Sequence, residues 1–147
     1  MVDNGEGVAQ DYAEAARLYR LAAEQGHAEA QKCLGTMFYS GEGVAQDYAE
    51  AARLFSLAAA QGHAIAQLNL GVMFENGQGV AKDYAEAMRL YSLAAAQGHA
   101  GAQNNLGVMF ENGQGVAKDR AEAIRLYRLA AAQGQANATA SLKRLGV

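Results

Sequence analysis

The chain of 147 residues has one cysteine, Cys33, so it cannot form an internal disulfide and its fold does not depend on an oxidising compartment. It has no run of about 18 apolar residues that could cross a membrane. Its formal net charge of -3 provides no basic footprint for nucleic acid. The first residues, MVDNGEGV, are acidic, whereas a signal peptide is basic and then apolar. We therefore expect a soluble protein that contacts neither membrane nor nucleic acid, and the compartment stays open.

The chain does contain a repeat of 36 residues. The segment GVAQDY begins at Gly7 and Gly43, GVAKDY begins at Gly79, and GVAKDR begins at Gly115. A fixed period of this length is typical of a solenoid. Because residues 1–5 align with residues 37–41, the first unit opens at the end of a helix that it mostly lacks. We predict one repeat domain over 1–147, with units at 1–26 (partial), 27–62, 63–98 and 99–134 and a capping helix at 135–147.

Each unit carries the pattern of two helices. In the second helix Asp47 is a suitable N-cap, Glu50 completes a capping box, and Gly62 lies where the helix can end. The first helix, such as 64–76, contains Gly71, which we interpret as a contact point because a glycine inside a helix costs about 1 kcal/mol unless another helix approaches closely. The same capping pattern predicts further helix starts at Asp11, Asp83 and Asp119. The fold class is therefore all-α, an α/α superhelical solenoid of about four helix-pair repeats.

The last unit departs from the pattern. Lys143 stands where Gly71 and Gly107 stand in earlier units, and Arg120 stands where the earlier units have a tyrosine. A lysine does not suit a tight helix crossing but does suit a helix that faces water. We therefore expect the C-terminal helix to cap the array, with reduced burial near that end.

The residues that could support chemistry are not arranged for it. The loop at 76–80 has the glycines of a phosphate-binding loop, but no Gly-Lys-Ser/Thr follows, and it is better interpreted as a helix end and a turn. His27, His63 and His99 recur once per unit, so their copies are separated by roughly 10 Å or more and cannot share a metal. Each is expected to help the turn into the next helix. No nucleophile with a base and an orienting group can be assembled, so we expect no enzyme, cofactor or metal.

The repeated pattern LGxMFxxGxGVAxDYAEAxRLxxxAAxQGHAxAQ resembles the Sel1-like repeat, a relative of the tetratricopeptide repeat with a longer glycine-containing loop inside its helix pair. The resemblance covers essentially the whole chain. The tetratricopeptide repeat itself, with about 34 residues and a proline near its end, fits less well. The resemblance implies an adaptor for protein complexes, often bacterial and sometimes exported. Some exported relatives carry paired cysteines, and this chain departs from them by having only Cys33. The residues that carry this resemblance most specifically are Leu70-Gly71, Gly77-x-Gly79-Val80, Asp83, and Ala94-Ala95 with Gly98.

Function is expected in the residues that differ between units. Two of the five positions that differ between units 63–98 and 99–134, Ile65/Gly101 and Leu68/Asn104, lie on the first helix, on the face away from its core stripe. First helices usually line the concave side of such a solenoid. Asparagines on this face offer donors and an acceptor for the backbone of an extended peptide, and the apolar residues offer contact area. We predict a groove for a peptide or protein partner. Its residues are Glu29, Lys32, Cys33, Thr36, Ser40, Ile65, Leu68, Asn69, Val72, Asn76, Asn104, Asn105, Val108 and Asn112.

Two other interpretations stay open. In the first, the polar face is merely solvated and the chain is a structural module, either a piece of a longer array or an engineered consensus-like repeat. In the second, the helix at 11–25, which lacks its repeat partner, pairs with another copy and makes a homo-oligomer.

Overall fold

The computed structural model describes residues 5–147, with side chains from residue 11 onward. Within these residues the chain forms eight α-helices and no strand, and each helix packs against the next one along the chain. The predicted all-α solenoid of helix pairs is confirmed. None of these helices is both long and apolar enough to cross a membrane. The helices are α1 (Gly5–Glu24), α2 (Ala28–Ser40), α3 (Tyr48–Ala60), α4 (Ala64–Asn76), α5 (Tyr84–Ala96), α6 (Ala100–Asn112), α7 (Arg120–Ala132) and α8 (Ala136–Arg144).

The first described helix begins earlier than predicted. The expected start at Asp11 is wrong, because α1 runs without a break from Gly5 through that residue. In a later unit the backbone N–H of Asp47 donates to the carbonyl oxygen of Phe38 at 2.8 Å, which holds the loop against the preceding helix. The residue of the first unit that corresponds to Phe38 is Val2, which lies outside the described residues. Asp11 has no such bond in the described part of the chain, and the helix preference of Ala, Glu and Gln prevails there.

The loop inside each later helix pair depends on two glycines. The Oδ1 atom of Asp47 accepts a hydrogen bond from the N–H of Glu50 at 3.1 Å, which confirms the predicted cap. The preceding helix of each pair ends at a left-handed glycine such as Gly77, with φ 68°. The next loop glycine, Gly79, lies against the preceding repeat, since a Cβ atom there would stand 2.5 Å from the carbonyl oxygen of Tyr48. The loop therefore turns the chain and also packs one repeat onto another.

The glycine inside each first helix lies against an aromatic ring, as expected of a contact point. A Cβ atom on Gly71 would stand 2.6 Å from Cε1 of Tyr91, and Gly35 and Gly107 make equivalent contacts. The predicted close approach is confirmed, and the partner is the second helix of the same unit. The ring and the glycine together set how closely the two helices of a pair can approach.

Buried glutamines connect successive repeats, a feature that the helical pattern does not reveal. Gln67 is only 3% exposed. Its Nε2 atom donates to the carbonyl oxygen of Ala59 at 3.2 Å, and its Oε1 atom accepts from Nε2 of Gln97 at 2.9 Å. Gln31 and Gln103 make the same pair of bonds. Each glutamine therefore satisfies its amide while it bonds its own unit to the one before.

The C-terminal end is more exposed, as predicted. Lys143 is exposed, and Arg120 is exposed where Tyr48 and Tyr84 are half-buried. The Nη2 atom of Arg120 donates to the carbonyl oxygen of Leu145 at 2.8 Å, so this side chain joins α7 to the residues after α8. Helix α8 thus carries exposed polar side chains, Lys143 and Arg144, in its last turn.

Candidate functional site

Pockets lie on both sides of the solenoid. Clefts of about 490, 350 and 440 Å³ lie between successive second helices. The pockets on the first-helix side are smaller, about 220 and 270 Å³. First helices usually line the concave side of a helix-pair solenoid, so we call the side formed by α2, α4 and α6, where the sequence predicts the groove, the concave face.

The predicted groove residues differ in their exposure. Six are exposed: Glu29, Thr36, Ser40, Ile65, Asn76 and Asn112. Seven are half-buried: Lys32, Cys33, Leu68, Asn69, Val72, Asn105 and Val108. Asn104 is buried, with 7% of its surface exposed.

The expectation that Asn104 faces an open groove is wrong. Its equivalent in the preceding unit, Leu68, leans onto the next repeat: it packs against the cluster of Tyr91 and Leu106, and a Cβ atom on Gly101 would lie 3.6 Å from its Cδ2 atom. This position is an inter-repeat contact, so the asparagine is covered. Its Oδ1 atom has no hydrogen-bond partner among the described residues.

Two of the three histidines cap the following helix. The Nδ1 atom of His63 accepts from the N–H of Ala66 at 3.3 Å, and His99 makes the same bond to the N–H of Ala102 at 3.2 Å. The expected support of the turn is confirmed for these two, whereas His27 makes no side-chain capping bond. Among residues 11–147, whose side chains the structure describes, no three His, Cys, Asp or Glu side chains gather as metal ligands would.

One predicted groove residue, Glu29, ties α2 to the next unit. Its Oε1 atom accepts from Nε2 of His63 at 2.8 Å, and its Oε2 atom lies 3.3 Å from Nζ of Lys32 and 3.5 Å from Sγ of Cys33. The bond to His63, followed by the bond to Lys32, lowers the pKa of Glu29 to about 2. These contacts make Glu29 a connecting residue at the N-terminal end of the face.

Four positions recur wherever two successive first helices meet. One comes from the end of a first helix, one is an aromatic residue of the following second helix, and two come from the next first helix. We call each set a junction. The first junction is Tyr39, Phe55, Asn69 and Val72; the second is Glu75, Tyr91, Asn105 and Val108; the third is Glu111, Tyr127, Ser141 and Arg144.

The first junction forms an apolar pocket of about 220 Å³, lined by its four residues together with Thr36. An apolar cavity of about 150 Å³ holds a benzene molecule, so this volume suits one apolar side chain. Thr36, Asn69 and Val72 are predicted groove residues. Tyr39 and Phe55 were missed, although both depart from the Glu and Tyr of the later units.

The second and third junctions are polar where the first is apolar. The hydroxyl group of Tyr91 donates to Oε1 of Glu75 at 2.7 Å, and that of Tyr127 donates to Oε1 of Glu111 at 2.7 Å. Burial, followed by the neighbouring carboxylate, raises the pKa of Tyr91 well above its usual range and that of Tyr127 to about 12. Both phenols therefore stay protonated and hold their carboxylates in place. The chemistry of the face thus changes along the array.

Comparison with known proteins gives a consistent result. A family model described as the Sel1 repeat matches residues 1–27, 28–63, 64–99 and 100–135. No curated protein matches the chain.

Solved structures show the same architecture. The crystal structure of c5321, a protective antigen present in uropathogenic Escherichia coli strains and displaying an SLR fold, is 40% identical with a TM-score of 0.88; the match covers 98% of this chain and 32% of that one. A Sel1 repeat protein from Oxalobacter formigenes is 35% identical with a TM-score of 0.85, over 91% of this chain and 53% of that one. Helicobacter pylori cysteine rich protein B, 24% identical with a TM-score of 0.73 over 95% of this chain and 100% of its own, shares the fold. The chain therefore spans about a third and about half of the two more similar structures.

Proposed function

Since the chain belongs to the Sel1 repeat family, whose members generally mediate protein–protein interactions, we propose that its concave face of first helices binds a peptide segment of a partner protein. Sel1 repeat proteins are typically non-enzymatic scaffolds, and the proposal gives this chain the same role. The observation that carries the proposal is the pocket of the first junction. It opens among residues that the sequence assigns to the groove, and its lining is mostly apolar.

The pocket would bind an apolar side chain of the peptide, and Asn69 would bond to the peptide backbone. Burial of one apolar side chain contributes about 1.5–3 kcal/mol, which corresponds to roughly ten- to a hundredfold in affinity. Asn69 lines the pocket and is half-buried, and its amide offers two donors and an acceptor to a peptide backbone. An anchored side chain beside a backbone contact fixes both the position and the direction of the peptide.

Peptides selected from a displayed library against the purified chain test the proposal. Fluorescence anisotropy then measures the dissociation constant for the wild type and for Thr36→Phe, which places a ring over the mouth of the pocket. We expect about a tenfold or greater loss of affinity. The matched control is Ser56→Phe, the same ring on the exposed surface of the second helices, which should leave the affinity unchanged.

The amide contacts need a separate variant. An Asn69→Ala, Asn105→Ala double variant should weaken every selected peptide, because both side chains are proposed to bond to the peptide backbone. Unchanged affinity in this double variant and in Thr36→Phe would show that the peptides bind elsewhere. A library that yields no binder would favour the structural-module interpretation.

Helix α1 favours self-association as a second candidate function. Leu18 and Tyr19 are 52% and 36% exposed, whereas their equivalents one unit later, Leu54 and Phe55, are each 2% exposed. The same apolar positions are therefore covered in a later unit and open on α1 among the described residues. Sedimentation equilibrium should show a dimer that Leu18→Lys dissociates and that Leu57→Lys, at a position exposed in its own unit, does not. A monomer at every concentration would contradict this candidate.

A further inference from the structure

The third junction shows how the concave face receives a guanidinium group. The Nη1 and Nη2 atoms of Arg144 bond to Oε2 and Oε1 of Glu111 at 2.7 and 2.8 Å, and Tyr127 donates to the same Oε1 atom. Both carboxylate oxygens are thus used. The bond to Arg144 also holds the pKa of Glu111 below its usual range. The chain therefore contains a built example of an arginine docked on this face by a forked, charge-assisted pair.

The second junction has the same receiving groups but no arginine. Glu75 stands at the position of Glu111, and the hydroxyl group of Tyr91 orients it through Oε1. The position of Arg144 is taken by Val108, which carries no charge. Lys82 is close enough for its charge to interact with that of Glu75, but the two form no ion pair, and the Nζ atom of Lys82 lies 4.8 Å from the centre of the Tyr84 ring. Among the described residues, Glu75 therefore has no ion pair like the one between Glu111 and Arg144.

We propose that the carboxylate of Glu75, held by Tyr91 and flanked by Asn105 and Val108, binds an arginine side chain of the partner peptide. This inference rests on the proposed function of the concave face. The guanidinium group takes the place that Arg144 takes on Glu111, and its aliphatic stem lies on Val108. Arginine is favoured over lysine because its planar fork bonds to both carboxylate oxygens, whereas an ammonium group acts as a point charge.

The first junction then sets the spacing of the peptide. In it Tyr39 and Phe55 replace the carboxylate and the phenol, which leaves the apolar pocket. Packed helices lie about 8–10 Å apart, and an extended chain advances about 3.3 Å per residue, so adjacent junctions are roughly three residues apart along a peptide. The partner segment should therefore carry an apolar residue and an arginine separated by two residues.

A small probe tests the arginine site apart from any peptide. We would titrate the ¹³C-labelled chain with N-acetyl-arginine N-methylamide and follow the side-chain carboxyl resonances of glutamate by NMR. In the wild type, Glu75 should shift and Glu111, already occupied by Arg144, should not. The corresponding citrulline amide, which lacks the charge, should shift neither. Equal shifts at Glu75 and Glu111, or none at Glu75, would overturn the proposal.

Two variants that exchange valine and arginine between the second and third junctions test the arginine site further. Val108→Arg should close the Glu75 site with an internal arginine and remove the probe's effect there. Arg144→Val should open the Glu111 site and create a second responding resonance. Glu75→Gln keeps the size of the side chain and removes its charge, so it should abolish the response at that site even if Val108→Arg disturbs packing.

The selected peptides then separate this inference from the proposed function. Replacement of their arginine by citrulline should weaken binding by about ten- to a hundredfold in the wild type and leave the affinity for Glu75→Gln unchanged. Peptides that bind the concave face equally well with citrulline would contradict the arginine site and leave the proposed function standing. A response of Glu75 to the small probe, with peptides that bind elsewhere, would support the arginine site and contradict the peptide groove.

Discussion

Replacement of Gly71 by alanine should destabilise the fold, although alanine is the better helix former. The added Cβ atom would lie 2.6, 2.8 and 3.3 Å from Cε1, Cδ1 and Cζ of Tyr91. This ring is fully buried, and its hydroxyl group is bonded to Glu75, so it has little freedom to move away. Overpacking of a core costs about 1–3 kcal/mol, and three close ring atoms place this site at the upper end. Helix propensity offsets about 1 kcal/mol, which leaves a net loss of about 2 kcal/mol.

The chain offers a matched control in the next first helix. At Gly101 the added Cβ atom would meet Cε1 of His99 at 3.1 Å. The same position one unit earlier is Ile65, and His63 beside it still caps its helix, so the site accommodates a side chain. Gly101→Ala should therefore stabilise the fold by up to about 1 kcal/mol.

Thermal unfolding followed by circular dichroism measures both changes. For a chain of this size, about 2 kcal/mol corresponds to a fall in Tm of roughly 4–8 °C for Gly71→Ala, while Gly101→Ala should raise Tm. The cost of Gly71→Ala should shrink in a Tyr91→Leu background, because the ring is gone. A rise in Tm for Gly71→Ala, or an equal cost in both backgrounds, would refute the reasoning.

Three further predictions concern the connections between elements. Gln67→Leu should lower the free energy of unfolding by about 1–3 kcal/mol in urea titrations, since it removes two hydrogen bonds, one to the carbonyl oxygen of Ala59 and one from Nε2 of Gln97; an unchanged midpoint would contradict the role of the glutamine. Asp83→Ala should cost about 1 kcal/mol in the same assay, because α5 loses its cap. The pKa of Glu29, lowered from 4.5 to about 2, makes a stabilising contribution that is present above the unfolded value and is lost as the pH falls toward 2. His63→Ala should raise the pKa of Glu29 in an NMR titration, and a pKa that stays near 2 would show that the histidine does not hold the carboxylate.

The sequence was sufficient wherever a local pattern decides the structure. Asp47 and Glu50 are three residues apart and meet within one helical turn, so the cap is readable from the chain alone. The interior Gly71 is similarly informative, because only a close contact compensates its cost in a helix. Neither inference needs to know which element lies opposite.

The sequence was insufficient to predict the surroundings of a residue wherever contacts with another helix or repeat determine them. Asn104 lies on the polar side of a projected helix, yet the neighbouring unit covers it. Asp11 has the sequence of a cap but lies inside the continuous helix α1 and not at its start. The pocket beside Phe55 and the ion pair of Arg144 with Glu111 combine residues from different helices, and a one-helix projection cannot place them together.

The most direct test of the account is a crystal structure of the chain bound to a library-selected peptide. The account predicts that the peptide lies along α2, α4 and α6, with an apolar side chain between Tyr39 and Val72 and an arginine on Glu75. A peptide seated instead in the clefts between the second helices α3 and α5 would contradict it.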